Sequence, residues 1–546
     1  MSESKSNVTQ AAAASSLGAT LLRYRAVTAF ALWVGVVLVG GYHLGIELGA
    51  LRLSEPMGSW ETVYAAIARA WPHQYQWDHF VDGHDGYGPG YPTLVQPLLR
   101  AGLDVYFAHR IVNLLAIVAA GALVVRLLLQ QGCARRIAWG LATIFYALNA
   151  GSYSIQARPD FLVLFEITVL LALGDAAARG RLRPGWRFGT LFGPVALGAF
   201  FTKAYSLFSW GAVLAYLALF VNSRGAIVAG LVSGALLAGG ITLFATQNPL
   251  YVLEVFRGQV VQASPSLAWL GHQAADFALL AGGVVAAIAL PVVLRLWPRA
   301  DGPRAPIVRN DSGKKYWTCQ ALFAAAGLLA GPGWHTGAYL TYFLHLLLVP
   351  MVMLAGSQAA KATSTVHGWF DLALTANLAV LIAVAPGWPQ ADATWPELRA
   401  DILHEPGSVA VDYLMEPIAR EKGGVEIVST GQTGYALREP FLMSANTDAV
   451  RRARTAATHF SDAQKHTLFG EQPVDAIYLD CVVDPSGEGR FAVFPRNGLP
   501  WFKGPEMDHY VATRVYHLTP YYFATNVPRA WAGVARTTIV KFERKR

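Results

Sequence analysis

Between Ala26 and Pro386 the chain is a succession of apolar stretches separated by short polar connections, and this constrains the fold more than any other feature. A helix of about 20 apolar residues crosses the hydrocarbon core of a bilayer. Within lipid only helices and closed barrels satisfy their own backbone groups. Stretches of that kind recur near 26–46, 94–130, 137–150, 161–174, 188–202, 204–221, 226–246, 274–296, 317–331, 338–356 and 368–386. They predict an α-helical polytopic membrane protein of about eleven spans. Charged residues are 14% of the chain, against about a quarter in soluble domains, which turns the reading away from a cytosolic protein.

Residues 1–25 read as a polar cytoplasmic tail, followed by a transmembrane domain over 26–386. Arg23 and Arg25 precede the run from Ala26 to Gly45. That run exceeds the usual signal-peptide core of about 7–15 residues, so it reads as a retained first helix. Lysine and arginine placement then sets the orientation. Arg135 and Arg136, "ARGRLRPGWR" (178–187) and "RADGPRAPIVRNDSGKK" (299–315) fall on the inner side. The long first outer loop, 47–93, is mainly acidic, with Glu47, Glu55, Glu61, Asp78, Asp82 and Asp85 against Arg52 and Arg69. An odd number of spans puts the C-terminus outside. The expected location is a multi-pass cell (inner) membrane with an extracytoplasmic, periplasmic-side C-terminal domain.

After Pro386 a Pro/Trp-rich boundary, "APGWPQADATWPELRADI", leads into residues 387–546, which have ordinary globular composition. "GSVAVDYL", "GVEIVST" and "PVDAIYLDCVV" read as short strands, and "MEPIAREKG" and "AVRRARTAATHF" as helices between them. The expectation is a C-terminal soluble α/β domain, serving acceptor recognition or stabilisation. The net charge of +8 comes from basic loops between apolar spans, and without a basic stripe interleaved with aromatics no nucleic-acid partner is expected. Cys133, Cys319 and Cys481 are too scattered for a disulfide framework or a cysteine zinc site.

Chemistry concentrates on the outer side. "SWETVYAAIARAW" (59–71) reads as a short helix with Ser59 at its cap and Glu61 in its first turn, where the helix dipole favours an anion. Downstream, "DHFVDGHDGYGPGYP" (78–92) lacks the alternating ligands of a calcium loop and the helical His spacing of a zinc site. Its glycines and prolines describe a bent loop directly before the second span. Asp160 follows Arg158 and Pro159 at the mouth of another span, and Arg158 can clamp a phosphate bidentately. Lys203 stands between two apolar runs on the side where positive charge is otherwise avoided. Mid-span ionisable residues, which transporters use for ions or protons, are few; Glu166 and His345 are the clearest.

"WETVYAAIAR", placed just after the first span, resembles the corresponding motif of the GT-C membrane glycosyltransferases, which include lipid A aminoarabinose transferases and protein O-mannosyltransferases. "YGPGYP" (87–92), "ARPDF" (157–161), "FFTKAY" (200–205) and "GWHTGAYLTYF" (333–343) are similar to later outer-side segments of the same group, in the same order. The resemblance covers roughly residues 20–390. It implies an inverting transfer of a sugar from a polyprenyl-phosphate donor to an acceptor hydroxyl on a glycan, lipid or protein. A carboxylate would take the acceptor's proton, and cations would stabilise the departing phosphate. Membrane lipid would surround a groove for the donor's chain.

The candidate acids are Glu61, Asp160, Asp78 and Asp85. Arg158, Lys203 and Arg257 are candidates for the donor phosphate, and His335 and Tyr339 for the acceptor. The family's acidic pair is broken here, because Trp60 stands where the first acid is expected. The question becomes which outer-loop acid replaces it. No residue set predicts a metal site; a divalent cation held by outer-loop acids is the one cofactor the resemblance leaves open. The competing classes are a lipid-sugar transporter or flippase, which calls for a polar pathway and internal repeats, and a noncatalytic subunit of envelope glycan assembly.

Overall fold

The computed structural model describes residues 3–55, 59–71, 88–153, 158–247, 267–296, 312–330, 343–362, 364–385, 387–389, 391–411, 415–422, 465–466, 468–484, 492–495, 505–518 and 537–545. Helices come first: α1 (Glu3–Ala50), α2 (Ser59–Ala70), α3 (Gly90–Arg100), α4 (Val105–Gln130), α5 (Arg135–Tyr153), α6 (Asp160–Ala178) and α7 (Trp186–Thr202). A 3-10 turn, Ala204–Ser206, joins α7 to α8 (Leu207–Phe220). Then follow α9 (Ser223–Gln247), α10 (Leu267–Leu280), α11 (Gly282–Leu296) and α12 (Ser312–Ala330). A single π-turn, Phe343–Leu347, runs into α13 (Leu348–Ala359), and α14 (Ser364–Ala383) follows.

Among the described residues, five helical segments are long and apolar enough to cross a membrane: Tyr24–Ala50, Val105–Gln130, Asp160–Ala178, Ser223–Thr246 and Val366–Ala383. Ala204–Phe220 and Leu344–Ala359 are shorter apolar helices. Phe30, Leu115, Leu231 and Leu243 stay exposed on the outside of the bundle, as lipid-facing helix surfaces require. The architecture is therefore a polytopic helical one.

The apolar run expected over 94–130 is two helices. Leu99 and Leu98 carbonyls take the Gly102 and Leu103 amides, with Gly102 at φ +82°. Asp104 then caps α4 by accepting from the Tyr106 and Phe107 amides at 2.9 and 3.1 Å. The apolar residues either side hid the break, because hydropathy does not register a glycine turn and a cap. The run at 274–296 divides likewise between α10 and α11.

One charged pair fastens α5 to α14, and another closes the end of α6. Asp371 of α14 takes Arg136 Nε of α5 at 2.9 and 3.0 Å. Asp175 of α6 holds Arg179 one turn later at 2.7 Å.

The C-terminal part opens with α15 (Trp395–His404), then β1 (Val409–Val411), α16 (Glu416–Lys422), β2 (Ala476–Asp484), β3 (Ala492–Pro495), β4 (Tyr510–Leu518) and β5 (Thr537–Arg544). The five strands form one mixed sheet in the order β1-β2-β5-β4, with β3 also on β2. β1 and β2 are parallel, and the β2–β5, β4–β5 and β2–β3 pairs are antiparallel. Trp395, Leu398, Ile402 and Ile418 cover one face with Ala476 and Tyr478, while Ile477, Leu479 and Cys481 point to the other. This is an α/β arrangement with "MEPIAREKG" helical and "PVDAIYLDCVV" a central strand. "GVEIVST" and "AVRRARTAATHF" lie outside the described residues.

β4 and β5 escape a sequence reading for a physical reason. β5 buries Lys541, which hydrophobic patterning places on a surface; here it is neutralised by Glu405 at 2.7 Å and Glu543 at 2.8 Å. β4 has its alternation broken by a register shift between Ala512 and Arg514.

Candidate functional site

The ends of α1, α5 and α7 and the starts of α4, α6 and α8 gather at one end of the bundle, because successive helices reverse direction. The C-terminal unit docks at this same end. α16 packs on α2, and Glu55 Oε1 accepts the Asp392 amide at 2.8 Å. Asp392 Oδ1 in turn accepts the Thr394 amide at 2.7 Å and the Trp395 amide at 3.3 Å, where the chain enters α15.

Arg110, in the second turn of α4, is the first organising residue. Its Nε and Nη2 bind the two carboxylate oxygens of Glu61 at 3.1 and 2.8 Å. Its remaining donors reach the carbonyls of Ala50 (2.9 Å), Leu53 (2.7 Å) and Glu55 (2.6 Å). Both side chains are fully buried. One guanidinium thus ties together the end of α1, the segment that follows it and α2. Glu61 is where the motif places it, at the start of a helix on this side, but both its oxygens face arginine. A carboxylate so engaged holds structure better than it takes a proton.

Burial pushes the Glu55 carboxyl above the ordinary carboxylate range, opposed by its bond to the Asp392 amide and by the Arg110 charge. A raised carboxyl pKa means the folded protein keeps a proton that the unfolded chain releases, so stability falls as pH rises from the usual value of about 4.3 towards the folded one. Glu55→Gln keeps the acceptor oxygen. It is expected to flatten that part of the pH–stability curve, measured as thermal midpoint across pH 4–8; an unchanged slope would remove Glu55 as its source.

The second cluster centres on Asp160, the first residue of α6, where the helix dipole favours an anion. Lys203 Nζ donates to its Oδ1 at 2.7 Å, and Arg158 Nε lies 3.2 Å from its Oδ2. Asp160 is 1% and Lys203 8% exposed. Lys203 reaches this place because the chain leaves helical geometry at that residue, with φ −154° and ψ 122°. Beside it, the Tyr205 hydroxyl meets His345 Nδ1 at 2.5 Å, and Lys203 Nζ lies 5.9 Å from the Tyr205 ring.

The two clusters are joined by the segment that precedes α3. A Cβ on Gly88 would overlap the Phe201 carbonyl, and one on Gly90 would lie 2.7 Å from Thr202 Oγ1 and 3.0 Å from the Thr202 amide. "GPG" is therefore where the first loop presses backbone to backbone on the turn that carries Lys203. Tyr91 follows, its hydroxyl accepting from Asn113 at 3.0 Å and donating to the His109 carbonyl at 3.2 Å. It stands within electrostatic reach of both Glu61 and Asp160. Gly88→Ala is expected to cost about 1–3 kcal/mol through overpacking, read as a lowered thermal midpoint. Gly102→Ala, whose Cβ meets nothing within 4 Å, serves as a control for backbone effects alone.

Of the residues singled out by sequence, the structure brings Asp160, Arg158 and Lys203 together and places Glu61 in the neighbouring cluster. Asp78, Asp85, Arg257, His335 and Tyr339 lie outside the described residues. Glu166 is half-buried in α6 and faces Gly198 of α7. Arg110 and Tyr205 were not anticipated. The available signal for Arg110 was a charge one turn inside an apolar span, in "FAHRIVNLL". Among the described residues no group of three or more His, Cys, Asp or Glu side chains could hold a metal ion. The carboxylates of Asp160 and Glu61 are engaged by cationic side chains, so these residues do not by themselves make a divalent-cation site.

The fold and the two clusters define a polytopic helical membrane protein with buried ion pairs at the end of the bundle that carries its α/β unit. No family model matches the chain, and no curated protein matches it. Among solved structures it is similar to ArnT from Cupriavidus metallidurans in the apo state, at 13% identity and a TM-score of 0.44, over 93% of this chain and 97% of that one. The same protein bound to undecaprenyl phosphate gives 12% and 0.42, over 93% and 98%. An Archaeoglobus fulgidus oligosaccharyltransferase tethered to an acceptor peptide gives 11% and 0.42, over 93% and 88%. The roles of individual residues rest on this chain's own geometry.

Proposed function

We propose that the protein is a membrane glycosyltransferase that moves a sugar from a polyprenyl-phosphate donor to an acceptor hydroxyl, with inversion. The observation that carries the reading is the Asp160–Lys203–Arg158 cluster, two cations set around one carboxylate inside a water-poor site at the end of the bundle. Such a site favours an anion, and the ordered motifs around it resemble those of enzymes whose leaving group is a lipid phosphate. In the reaction, the acceptor oxygen attacks the anomeric carbon while the bond from that carbon to the phosphate oxygen breaks. The electron pair goes to the phosphate, where Lys203 and Arg158 stabilise the new charge. Asp160 orients Lys203.

The acceptor's proton needs a base, and Glu61 is closed by Arg110. Asp85 is the favoured alternative, because it stands three residues before Gly88. An extended chain spans at most about 3.5 Å per residue, so Asp85 is tethered within roughly 10 Å of the segment pressed on the Lys203 turn. Asp78 has a much longer tether. Arg257 is a further candidate for the phosphate, and His335 and Tyr339 for the acceptor.

The test is transfer of radiolabelled sugar from a polyprenyl-phosphate donor by the purified protein in lipid nanodiscs. Asp85→Asn should lower turnover by about 10²–10⁴, the usual weight of a general base, while folded Glu61→Gln retains most of it. The reverse ranking would return the base to Glu61. Movement of donor across proteoliposomes with no new glycosidic bond would replace the reading with a flippase.

A further inference from the structure

His345 is fully buried beside the proposed phosphate site, and its Nε2 has no hydrogen-bond partner. An orphaned nitrogen in a dry position is unusual enough to need a cause. The backbone that carries it is a single π-turn, Phe343–Leu347, a local irregularity that breaks the helical ladder and recurs at functional positions. Its other nitrogen, Nδ1, meets the Tyr205 hydroxyl at 2.5 Å. Tyr205 is two residues beyond Lys203 in the same short turn. Asp160, Lys203 and Arg158 are all within electrostatic reach of the His345 ring.

The Tyr205 contact decides which nitrogen carries the proton. A phenol is the better donor of the two and an imidazole nitrogen the better acceptor, so the hydroxyl donates to Nδ1 and the proton stays on Nε2. His345 then offers a neutral N–H donor next to two cations. A donor in that company suits an anionic oxygen and repels a cationic ligand.

We propose that His345 Nε2–H is a direct hydrogen-bond donor to a phosphate oxygen of the lipid monophosphate, with Tyr205 as the positioning residue that holds the ring and its tautomer. This deepens the reading above and rests on it. The ligand class is a phosphate monoester on a polyprenyl chain.

Two near-isosteric variants separate ligand binding from structure. In His345→Asn the amide oxygen takes the place of Nδ1 and still accepts from the Tyr205 hydroxyl, while the outer donor is deleted. In His345→Gln the amide nitrogen sits near the place of Nε2, keeping the outer donor and deleting the Tyr205 contact. The measurement is affinity of the full-length protein in nanodiscs for a polyprenyl monophosphate, with thermal midpoints recorded for every variant. His345→Asn is expected to weaken binding about tenfold or more, the weight of a hydrogen bond to a charged group. His345→Gln is expected to weaken it less than threefold. Inorganic phosphate, run alongside, tells the sources apart: a matching His345→Asn loss with it assigns the donor to phosphate alone, and a loss confined to the lipid assigns it to the lipid-held group.

The opposite order, with His345→Asn like wild type and His345→Gln impaired, would make the Tyr205 contact a packing feature and overturn the inference. Lys203→Met distinguishes the two levels of failure. If Lys203→Met abolishes binding while His345→Asn leaves it intact, only the His345 assignment falls. If wild type binds no polyprenyl monophosphate, or Lys203→Met leaves its binding unchanged, the lipid-phosphate reading falls and takes the assignment with it.

Discussion

Arg110→Met is expected to destabilise the protein by about 3–5 kcal/mol, the largest stability loss of any single substitution considered for this molecule. Methionine fills most of the arginine's volume, so the loss is electrostatic and not a cavity effect. It strips the partner from Glu61, whose carboxylate stays fully buried, and it removes the donors from the Ala50, Leu53 and Glu55 carbonyls. An uncompensated charge and three unpaired carbonyls at one place account for the magnitude. The double variant Arg110→Met/Glu61→Gln should recover a large part of the loss, because no charge remains to strand. Denaturant or thermal unfolding in detergent measures both. If the double variant is no more stable than Arg110→Met, stranded charge is not the cause and the carbonyl bonds carry the cost. The C-terminal unit should loosen as well, since the Glu55 carbonyl accepts from Arg110 Nη2 and its carboxylate accepts the Asp392 amide. Faster proteolysis within 387–546 in Arg110→Met reports that coupling.

Lys203→Met is expected to lower kcat by about 10²–10³, the weight of a preorganised charge at the atom where negative charge develops. Its companion Asp160→Asn gives the more diagnostic result. Asparagine keeps an oxygen within reach of Lys203 but removes the negative charge between two cations. The site becomes more positive and should bind the polyprenyl monophosphate product more tightly, by several-fold at the effective dielectric of such sites. Lys203, no longer held by a charge-assisted bond, loses its orientation, and kcat should fall about tenfold. Lower kcat with tighter product binding marks a positioning acid. Lower kcat with unchanged product binding would instead make Asp160 a direct participant in the chemistry, and unchanged kcat would remove the cluster from the reaction.

How much of this was legible beforehand differs from residue to residue. The helix over 59–70 was readable because a cap residue, a first-turn acid and an apolar face coincide within twelve residues. Lys203 was readable because a lone cation between apolar runs is costly and so calls for a reason. Asp160 and Arg158 were readable as neighbours of each other, but their meeting with Lys203, 43 positions away, was not. Arg110 was missed because its charge lies inside an apolar stretch whose pattern argued only for burial. The loop "DHFVDGHDGYGPGYP" reads as a bent connector; what Gly88 and Gly90 press against, the Phe201–Thr202 backbone, emerged from packing.

The sequence by itself determined the class of fold, because the requirement that every backbone group in lipid be satisfied leaves few choices for a chain of long apolar runs. It also determined which side chains were too costly to bury without purpose. Tertiary structure alone decided who compensates whom. It sealed Glu61 against Arg110, turned Lys203 onto Asp160 and buried His345 near the same cluster with its Nε2 lacking a hydrogen-bond partner. Pairing of buried charges depends on the register in which distant helices meet, and that register is set by three-dimensional packing that a one-dimensional pattern does not contain.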